Sequence, residues 1–277
     1  MNITDFDIYK DLLKNSSGLV LTQDKTYLVE SRLNPLAKKW GYSDIAEMTR
    51  ILRGVPPKEL IVDIVEAMTT NETSFFRDTK PFEIFKNTVL PYYKNKIGTS
   101  KRLRIWCAAS SSGQEPYSLA MLLKEEAAQM PGWSFEIVAT DISHDILERA
   151  KEGTYTQFEV QRGLPITHLM KYFTQDGEKW TINQDIKSMV KYKYFNLLES
   201  MAPLGEFDVI FCRNVLIYFD QPTKTIVMDG MHKLLPDDGF LFLGGAETVL
   251  GVTNDFKAMP NNRSLYVKND SAHLQAA

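Results

Sequence analysis

Four short apolar runs alternate with helix-length segments between residues 102 and 243, and this alternation constrains the fold more than any other feature. The runs are "RLRIWCAA", "FEIVATDI", "FDVIFCRNVL" and "GFLFLGG", and the segments between them include "QEPYSLAMLLKEEAAQM" and "SHDILERAKEG". Strands that alternate with helices form a parallel sheet with helices on both faces. The later "RSLYVKN" follows the fourth run without a helix-length crossover, which predicts an antiparallel edge strand.

Residues 1–80 are predicted to form an all-helical domain, because no strand pattern interrupts them. One helix there carries four apolar residues on a single stripe: Val29, Leu33, Leu36 and Trp40. Pro35 is expected to kink or split that helix. A further helix is expected from Pro56 onwards, since proline suits a first helical turn. A linker helix at 81–98 then leads to the α/β domain at 99–270.

One segment of the α/β domain, residues 154–194, breaks the alternation. "KYF", "KWTIN" and "MVKYKYF" are typical of short alternating strands, and "QDG" is a turn signal. We therefore predict a small antiparallel insertion there. The tail at 271–277 is predicted to be disordered.

Composition excludes several classes of protein. The chain has 277 residues and a formal net charge of −3, which disfavours general nucleic-acid binding. No apolar run approaches the roughly 18 residues of a membrane span, and the N-terminus has no export signal. Cys107 and Cys212 lie in apolar runs typical of buried strands. We expect the cytoplasm, without insertion into a membrane.

Ligands of open α/β sheets bind at the carboxyl ends of the strands, so the residues that follow each strand are candidates. "ASSSGQEPY" follows the first run, with Gly113 and Glu115, and either contacts a ligand or forms an ordinary tight turn. Asp141 ends the second run, where it either binds the hydroxyls of a ribose or caps the next helix. The remaining candidates follow "KYF" and "FDVIF": Asn196, Leu197, Arg213, Asn214 and Val215.

Common catalytic motifs are missing from these loops. A dinucleotide G-x-G-x-x-G loop, a P-loop and a G-x-S-x-G nucleophile elbow are all absent. The histidines are scattered, and none has metal-ligand spacing with a cysteine. The residues thus predict a nucleoside-binding α/β domain without an obvious acid–base pair.

Several long motifs in order carry a resemblance to a known family. "TTNETSFFRD", "RIWCAASSSGQEPYSLAM", "ATDIS", "FNLL" and "FDVIFCRNVLIYFD" resemble the chemotaxis receptor methyltransferases, the CheR family. The similarity covers nearly the whole chain. It implies a Rossmann-like class I S-adenosylmethionine-dependent methyltransferase domain with a small antiparallel β insertion, preceded by an all-helical N-terminal domain. One departure is Gln114, where the family often has glutamate.

The resemblance also implies roles for individual residues. Asn71, Thr73 and Arg77 would close over S-adenosylmethionine, with Arg77 pairing with its methionyl carboxylate. Glu115 would hold the amino end of the methyl donor and Asp141 its ribose. The adenosine would lie among the remaining candidates, namely Asn196, Leu197, Arg213, Asn214 and Val215. Tyr218 would donate a hydrogen bond near the reacting centre, or else be an amphipathic rim residue.

The implied reaction methylates glutamate γ-carboxylates on the cytoplasmic region of chemotaxis receptors, leaving S-adenosylhomocysteine, for sensory adaptation in signal transduction. A glutamate with a reference pKa of roughly 4.3 is already ionised at neutral pH, so the nucleophile needs no general base. A nucleic-acid amino methyltransferase is a weaker alternative, because "RNVLIYFD" lacks the prolines of a [DN]-P-P-[YF] loop. A module that binds the methyl donor without turnover stays open.

A basic stretch at residues 25–58 either docks on the acidic helices of a receptor coiled coil or is a solvated helix face. The candidate docking residues are Arg32, Lys38, Lys39, Arg50 and Arg53. Some family members also bind a receptor-tail peptide through the inserted sheet, using a longer, glycine-rich turn. Here the turn "TQDGEK" has the single glycine Gly177, so we predict that the enzyme does not depend on such a pentapeptide. Separately, we expect a monomer.

Overall fold

The computed structural model describes residues 3–96 and 100–274. They divide into two compact units, one running up to Thr70 together with Tyr218–Lys224, the other comprising Asn71–Ile217 and the residues from Thr225 on. The predicted boundary at 80 thus lies ten residues beyond the end of the first unit. The reason is Phe75, which is fully buried in the core of the second unit, with its ring edge-on to Tyr155.

The first unit is helical, as predicted. Its helices are α1 (Ile3–Ser17), α2 (Thr26–Lys39), α3 (Ile45–Leu52) and α4 (Lys58–Met68). The expected split at Pro35 does not occur, because α2 runs unbroken through it. The predicted stripe of α2 faces the core with Val29, Leu33 and Leu36 buried, while Trp40, just past the helix, donates its indole N–H to Asp63 over 2.9 Å.

A distant part of the chain completes this helical unit. Leu19 forms an isolated antiparallel bridge with Phe219, and the Val20 N–H donates to the Tyr218 carbonyl over 2.9 Å. Lys14 pairs with Asp220 beside this bridge. No local pattern in the sequence predicts this addition, since it joins segments about 200 residues apart.

The second unit contains a seven-stranded sheet with the strand order β6-β2-β1-β7-β8-β10-β9. Its strands are β1 (Arg102–Ala108), β2 (Ser134–Asp141), β6 (Val190–Tyr194), β7 (Val209–Cys212), β8 (Phe240–Leu243), β9 (Phe256–Met259) and β10 (Asn262–Lys268). The four predicted parallel strands are confirmed. β10 is antiparallel as predicted, but its edge position is wrong, because β9 lies outside it. β9 escaped detection since Phe256 is its one buried residue.

Helices pack on this sheet. They are α5 (Lys80–Ile84), α6 (Leu90–Asn95), α7 (Gln114–Glu126), α8 (His144–Glu152) and α12 (Gln221–Leu234). A π-helical turn, Phe85–Val89, joins α5 to α6. The described residues of the predicted linker helix, 81–96, therefore contribute to the core, with the Phe82 ring stacked on Phe211 at 6.3 Å. Residues 97 and 98 of that prediction lie outside the described part of the chain.

The insertion is a separate three-stranded antiparallel sheet with the order β3-β5-β4. It comprises β3 (Thr154–Thr156), α9 (Gln157–Gln161), α10 (Ile166–Tyr172), β4 (Phe173–Asp176), β5 (Lys179–Ile182) and the short α11 (Gln184–Lys187). The prediction that 190–194 belongs to it is wrong, because β6 pairs in parallel with β2 of the large sheet. An alternating strand fits either sheet, so its pattern cannot say which one it joins.

The predicted disorder of the tail is wrong for residues 271–274. Ser271 is buried, and the His273 ring stacks on Phe240 with centroids 4.5 Å apart. Residues 275–277 lie outside the described part of the chain. Within residues 3–96 and 100–274, no helix combines the length and the apolar character that crossing a bilayer requires.

Candidate functional site

Four neighbouring parallel strands of the large sheet, β6, β2, β1 and β7, end at one edge. The loops that follow them carry most of the predicted ligand residues, all within the α/β unit. Because parallel strands present their carboxyl ends together, loops far apart in sequence meet there. The site is built from contacts between these loops.

Asp141 connects the end of β2 to the loop after β1. Its carboxylate accepts the Ser111 N–H over 2.9 Å and the Ser143 N–H over 3.1 Å. The helix-cap alternative for Asp141 is wrong, because Ser143 caps α8 by accepting the Ile146 N–H. The Asp141 carboxylate instead holds the β1–α7 loop against β2.

The β1–α7 loop needs small residues. Ala109, Ser111 and Gly113 all have positive φ, of 55°, 51° and 93°. A Cβ on Gly113 would lie 2.5 Å from the Tyr192 hydroxyl, so no larger residue fits there. The Ser110 hydroxyl is buried and has no hydrogen-bond partner within the described residues. An unpartnered buried hydroxyl in a close-approach loop is what a polar ligand would satisfy.

A buried ion pair joins the loops after β1 and β7. Arg213 donates to Glu115 over 2.7 Å, to Asp78 over 2.7 Å and to the Arg77 carbonyl over 2.8 Å. Burial raises the pKa of Glu115, and the charges of Arg213 and Arg77 only partly offset that effect. The guanidinium of Arg213 is therefore already engaged by protein carboxylates.

The segment after the helical unit is anchored by its two phenylalanines. Phe75 is fully buried, and the Phe76 N–H donates to the Ser118 hydroxyl over 2.9 Å. The Ser111 hydroxyl donates to the Asn71 carbonyl over 2.8 Å, and Thr73 is half-buried between these anchors. The Phe pair thus fixes the segment that carries Asn71, Thr73 and Arg77 to the α/β core.

Arg77 lies in the same segment and keeps much of its donor capacity. Its Nη1 donates to the Glu72 carbonyl over 2.9 Å. Asp78 and Glu83, two carboxylates nearby in the sequence, are paired with other residues, Asp78 with Arg213 and Glu83 with Lys80. Burial raises the pKa of Glu115, and the positive charge of Arg77 offsets a small part of that effect.

Asn196 and Leu197 follow β6, directly beside Asp141. The Phe195 N–H donates to the Asp141 carbonyl over 3.0 Å. The Asn196 side-chain oxygen accepts the Leu198 N–H over 3.0 Å, and Leu197 is buried. These contacts give the loop one fixed conformation next to the end of β2.

Glu247 is a residue of this region that sequence reasoning missed. Its carboxylate accepts four backbone N–H groups, those of Asn214, Val215, Leu216 and Gly244, over 2.6–2.9 Å. The sequence signal for it is an acidic residue shortly after "GFLFLGG", the fourth apolar run, which becomes the parallel strand β8.

Backbone strain concentrates in these loops. Eight non-glycine residues of the described chain have positive φ. Six of them lie in the segment after the helical unit, the β1–α7 loop or the loop after β7: Phe76, Asp78, Thr79, Ala109, Ser111 and Asn214. Such conformations cost on the order of 1–3 kcal/mol each and persist where the surroundings enforce them. The loops are thus held in shapes that their sequences alone would not prefer.

The remaining predicted residues belong to the helical unit. Tyr218 is one of them, and its catalytic role stays a prediction. Of the docking candidates, Arg32 donates to the last carbonyls of α4 over 2.8 Å. Lys39 pairs with Asp63 at 3.1 Å and Arg53 with Asp5 at 2.7 Å. These three cations therefore have partners inside their own unit.

Lys38 and Arg50 complete the set of docking candidates, and both are exposed. They are the better candidates for contact with a partner. Among residues 3–96 and 100–274, no group of three or more histidine, cysteine, aspartate or glutamate side chains is arranged to hold a metal ion.

The parallel sheet, the acidic end of β2 and the small-residue loop after β1 define a class I S-adenosylmethionine-dependent methyltransferase. Comparison with family models makes this specific. The all-alpha domain of CheR methyltransferases matches residues 4–69, and their SAM-binding domain matches residues 71–265. The chain belongs to the CheR methyltransferase family, and S-adenosylmethionine is its methyl donor.

Curated relatives match almost the full chain. The chemotaxis protein methyltransferase Cher2 of Pseudomonas putida is 41% identical over 258 residues, covering 91% of this chain and 93% of the relative. The chemotaxis protein methyltransferase of Vibrio parahaemolyticus is 39% identical, covering 94% and 96%. That of Borreliella burgdorferi is 35% identical, covering 97% and 96%.

Proposed function

We propose that this protein methylates glutamate γ-carboxylates on the cytoplasmic region of methyl-accepting chemotaxis receptors, forming methyl esters for sensory adaptation. The observation that carries the proposal is the 41% identity, over more than nine-tenths of both chains, to a chemotaxis protein methyltransferase. The negative net charge of −3 favours this substrate over nucleic acid. We place the reaction in the cytoplasm.

The residues at the strand ends fit the polar groups of S-adenosylmethionine. Arg77 is a cation for its carboxylate, and the Glu115 carboxylate suits its amino group. The Asp141 carboxylate, held at the end of β2 by the Ser111 and Ser143 N–H groups, suits the ribose hydroxyls. The Ser110 hydroxyl, buried without a partner in the described chain, is a further donor for the ligand.

The adenosine is proposed to lie against Asn196, Leu197 and the 213–215 loop. The contribution of Arg213 is assigned to its backbone, because its guanidinium is engaged by Glu115 and Asp78. Asn71 and Thr73 close the site from the segment anchored by Phe75. When bound, S-adenosylmethionine supplies a methyl group activated by its sulfonium.

The chain's own residues then have only to position the reactants and exclude water. The substrate glutamate is ionised near neutral pH, so no protein base has to remove a proton. Most of the acceleration comes from holding the carboxylate oxygen of the substrate glutamate in line with the methyl group. Tyr218 is proposed to donate a hydrogen bond to the reacting groups.

Docking on the receptor is proposed to use the basic face of the helical unit, chiefly Lys38 and Arg50. The inserted sheet has a two-residue hairpin turn, Gly177-Glu178, in which Gly177 has a φ of 58°. So short a turn offers little backbone to wrap a receptor-tail peptide. We therefore propose that the enzyme finds receptors without a tethering pentapeptide, and we propose separately that it acts as a monomer.

Tritiated S-adenosylmethionine, incubated with the protein and a purified receptor cytoplasmic domain, tests the function. The expected result is a labelled receptor band whose label is released as methanol by mild base, as a carboxyl methyl ester requires. Label in added RNA or DNA, or base-stable label on the receptor, would overturn the proposal. Cofactor binding without label in any substrate would identify a binding module instead.

The same assay tests independence from a tail peptide. Receptors with and without their last residues are expected to be methylated at similar rates. Calorimetry against a tail peptide that ends in aromatic and acidic residues should give no binding in the micromolar range. Micromolar affinity would show that the short turn is a poor guide.

A further inference from the structure

The carboxylate of Glu247, in the α/β unit, is surrounded by backbone N–H groups, and the proposed function gives it no role. Its carboxylate lies within 2.8 Å of the Asn214 nitrogen, 2.9 Å of Val215, 2.8 Å of Leu216 and 2.6 Å of Gly244. Three consecutive N–H groups converging on one anion form a backbone nest. A side chain of this protein thus occupies an anion site made by the loop after β7.

The loop that Glu247 holds would not keep this shape unaided. Asn214 has a φ of 60°, in the left-handed region that a non-glycine residue seldom adopts. Directing successive N–H groups to one point also prevents them from bonding elsewhere. A charge-assisted acceptor offsets both costs, since hydrogen bonds to ionised groups are stronger than neutral ones.

We propose that Glu247 is a positioning residue for methyl-donor binding, holding the 213–215 loop in its ligand-binding conformation through four backbone hydrogen bonds. This inference rests on the proposed contact of residues 213–215 with adenosine. Glu247 is 8% exposed, and its carboxylate accepts four backbone N–H groups. It acts on the ligand through the loop.

The two glycines after β8 provide a matched pair of variants. A Cβ on Gly244 would lie 2.7 Å from the Glu247 Oε2 and 3.0 Å from the Asn214 nitrogen, so Gly244→Ala displaces the carboxylate or the loop. A Cβ on the adjacent Gly245 would meet nothing within 4 Å. Gly245→Ala therefore adds the same methyl group without touching this arrangement.

Titration calorimetry with S-adenosylhomocysteine tests the proposal on the intact chain. Glu247→Gln places an amide group against N–H donors, and we expect it to weaken binding about tenfold or more. Gly244→Ala should do the same, and Gly245→Ala should stay within about twofold of the wild type. The binding stoichiometry gives the folded fraction, so the affinity is measured on folded molecules alone.

A purely structural role predicts a different outcome. Glu247→Gln and Gly244→Ala would then lower the melting temperature or the stoichiometry but leave the dissociation constant of the folded fraction unchanged. That result would overturn the proposal. So would equal losses of affinity in Gly244→Ala and Gly245→Ala.

Hydrogen exchange on the wild type keeps the proposal testable even where a variant fails to fold. The amides of residues 214–216 should be protected without any ligand, since each donates to Glu247. Rapid exchange there would contradict the proposal. Because neither measurement uses a receptor, failure to methylate receptors would sink the proposed function without deciding the role of Glu247.

Discussion

The guanidinium of Arg213 lies 2.7 Å from the carboxylate of Glu115, although 98 residues separate them in the chain. Both side chains are shielded from water, with 1% and 12% of their surface exposed. Breaking a buried pair costs more than making it gains, because the partner left behind is a buried, uncompensated charge. This pair therefore locks the loops after β1 and β7 together.

Arg213→Lys tests that lock. Lysine keeps the charge but cannot donate to Glu115, Asp78 and the Arg77 carbonyl through one planar group. We expect the free energy of unfolding, measured with urea, to fall by about 3 kcal/mol. The exposed Arg263→Lys is the control and should change it by less than about 0.5 kcal/mol. Equal losses in both variants would show that the buried pair has no special weight.

Asp141→Ala is expected to weaken S-adenosylhomocysteine binding by about 1–3 kcal/mol, because it removes acceptors for the ribose from a largely buried site. Ser143→Ala separates this role from that of the neighbouring helix cap. It should lower stability by about 1 kcal/mol and leave the calorimetric affinity unchanged. An affinity in Asp141→Ala equal to that of the wild type would exclude ribose contact.

Tyr218→Phe removes only a hydroxyl group, while the backbone of this residue stays held by the Val20 N–H at 2.9 Å. If the hydroxyl acts at the reacting centre, kcat should fall about tenfold or more, with S-adenosylhomocysteine affinity nearly unchanged. Tyr27→Phe, an exposed tyrosine of the same unit, is the control. Wild-type turnover in Tyr218→Phe would leave the hydroxyl without a catalytic role.

Glu136 gives a pH-dependent prediction. Burial raises its pKa, but hydrogen bonds from Lys191, Arg102 and Arg104 outweigh that effect and lower it to about 2. Since the folded-state pKa lies below the unfolded value of about 4.5, the carboxylate stabilises the fold above pH 4.5. This contribution, on the order of 3 kcal/mol, is lost as the pH falls from 4.5 towards 2.

The measurement is the difference in unfolding free energy between the wild type and Glu136→Gln. It should be large near pH 7 and shrink steadily below pH 4.5. The exposed Glu148, which pairs with Lys151 three residues on, serves as the matched control. Glu148→Gln should show almost no difference at either pH, and a difference for Glu136→Gln that does not vary with pH would refute the assignment.

Receptor docking is best tested at Lys38 and Arg50, which are exposed. The double reversal Lys38→Glu/Arg50→Glu should raise KM for the receptor, reduce its salt dependence and leave S-adenosylhomocysteine affinity alone. Lys94→Glu/Lys257→Glu makes the same change of net charge on the α/β unit. If both double variants had the same effect, the overall net charge would explain it, and the basic face of the helical unit would have no specific role in docking.

The strands and helices that were predicted correctly are those whose own residues report burial. The strands β1, β2, β7 and β8 are apolar runs, and the helices α2 and α4 show helical stripes. These patterns can be recognised in the sequence without knowing which element each one packs against. β9 has one buried residue and β6 alternates, so neither shows which neighbour it pairs with. The tail was misjudged because its stability comes from His273 stacking on Phe240, a distant contact.

The sequence by itself determined the α/β class, the order of its elements and the loops that carry the ligand candidates, because apolar periodicity is local and strand ends follow from it. The tertiary structure decided how those loops are held. Arg213 meets Glu115, Glu247 collects the N–H groups of the β7 loop, and Arg32 caps α4 instead of standing free. Such contacts join residues 31–98 positions apart, and only sheet pairing and packing bring these groups within hydrogen-bond distance.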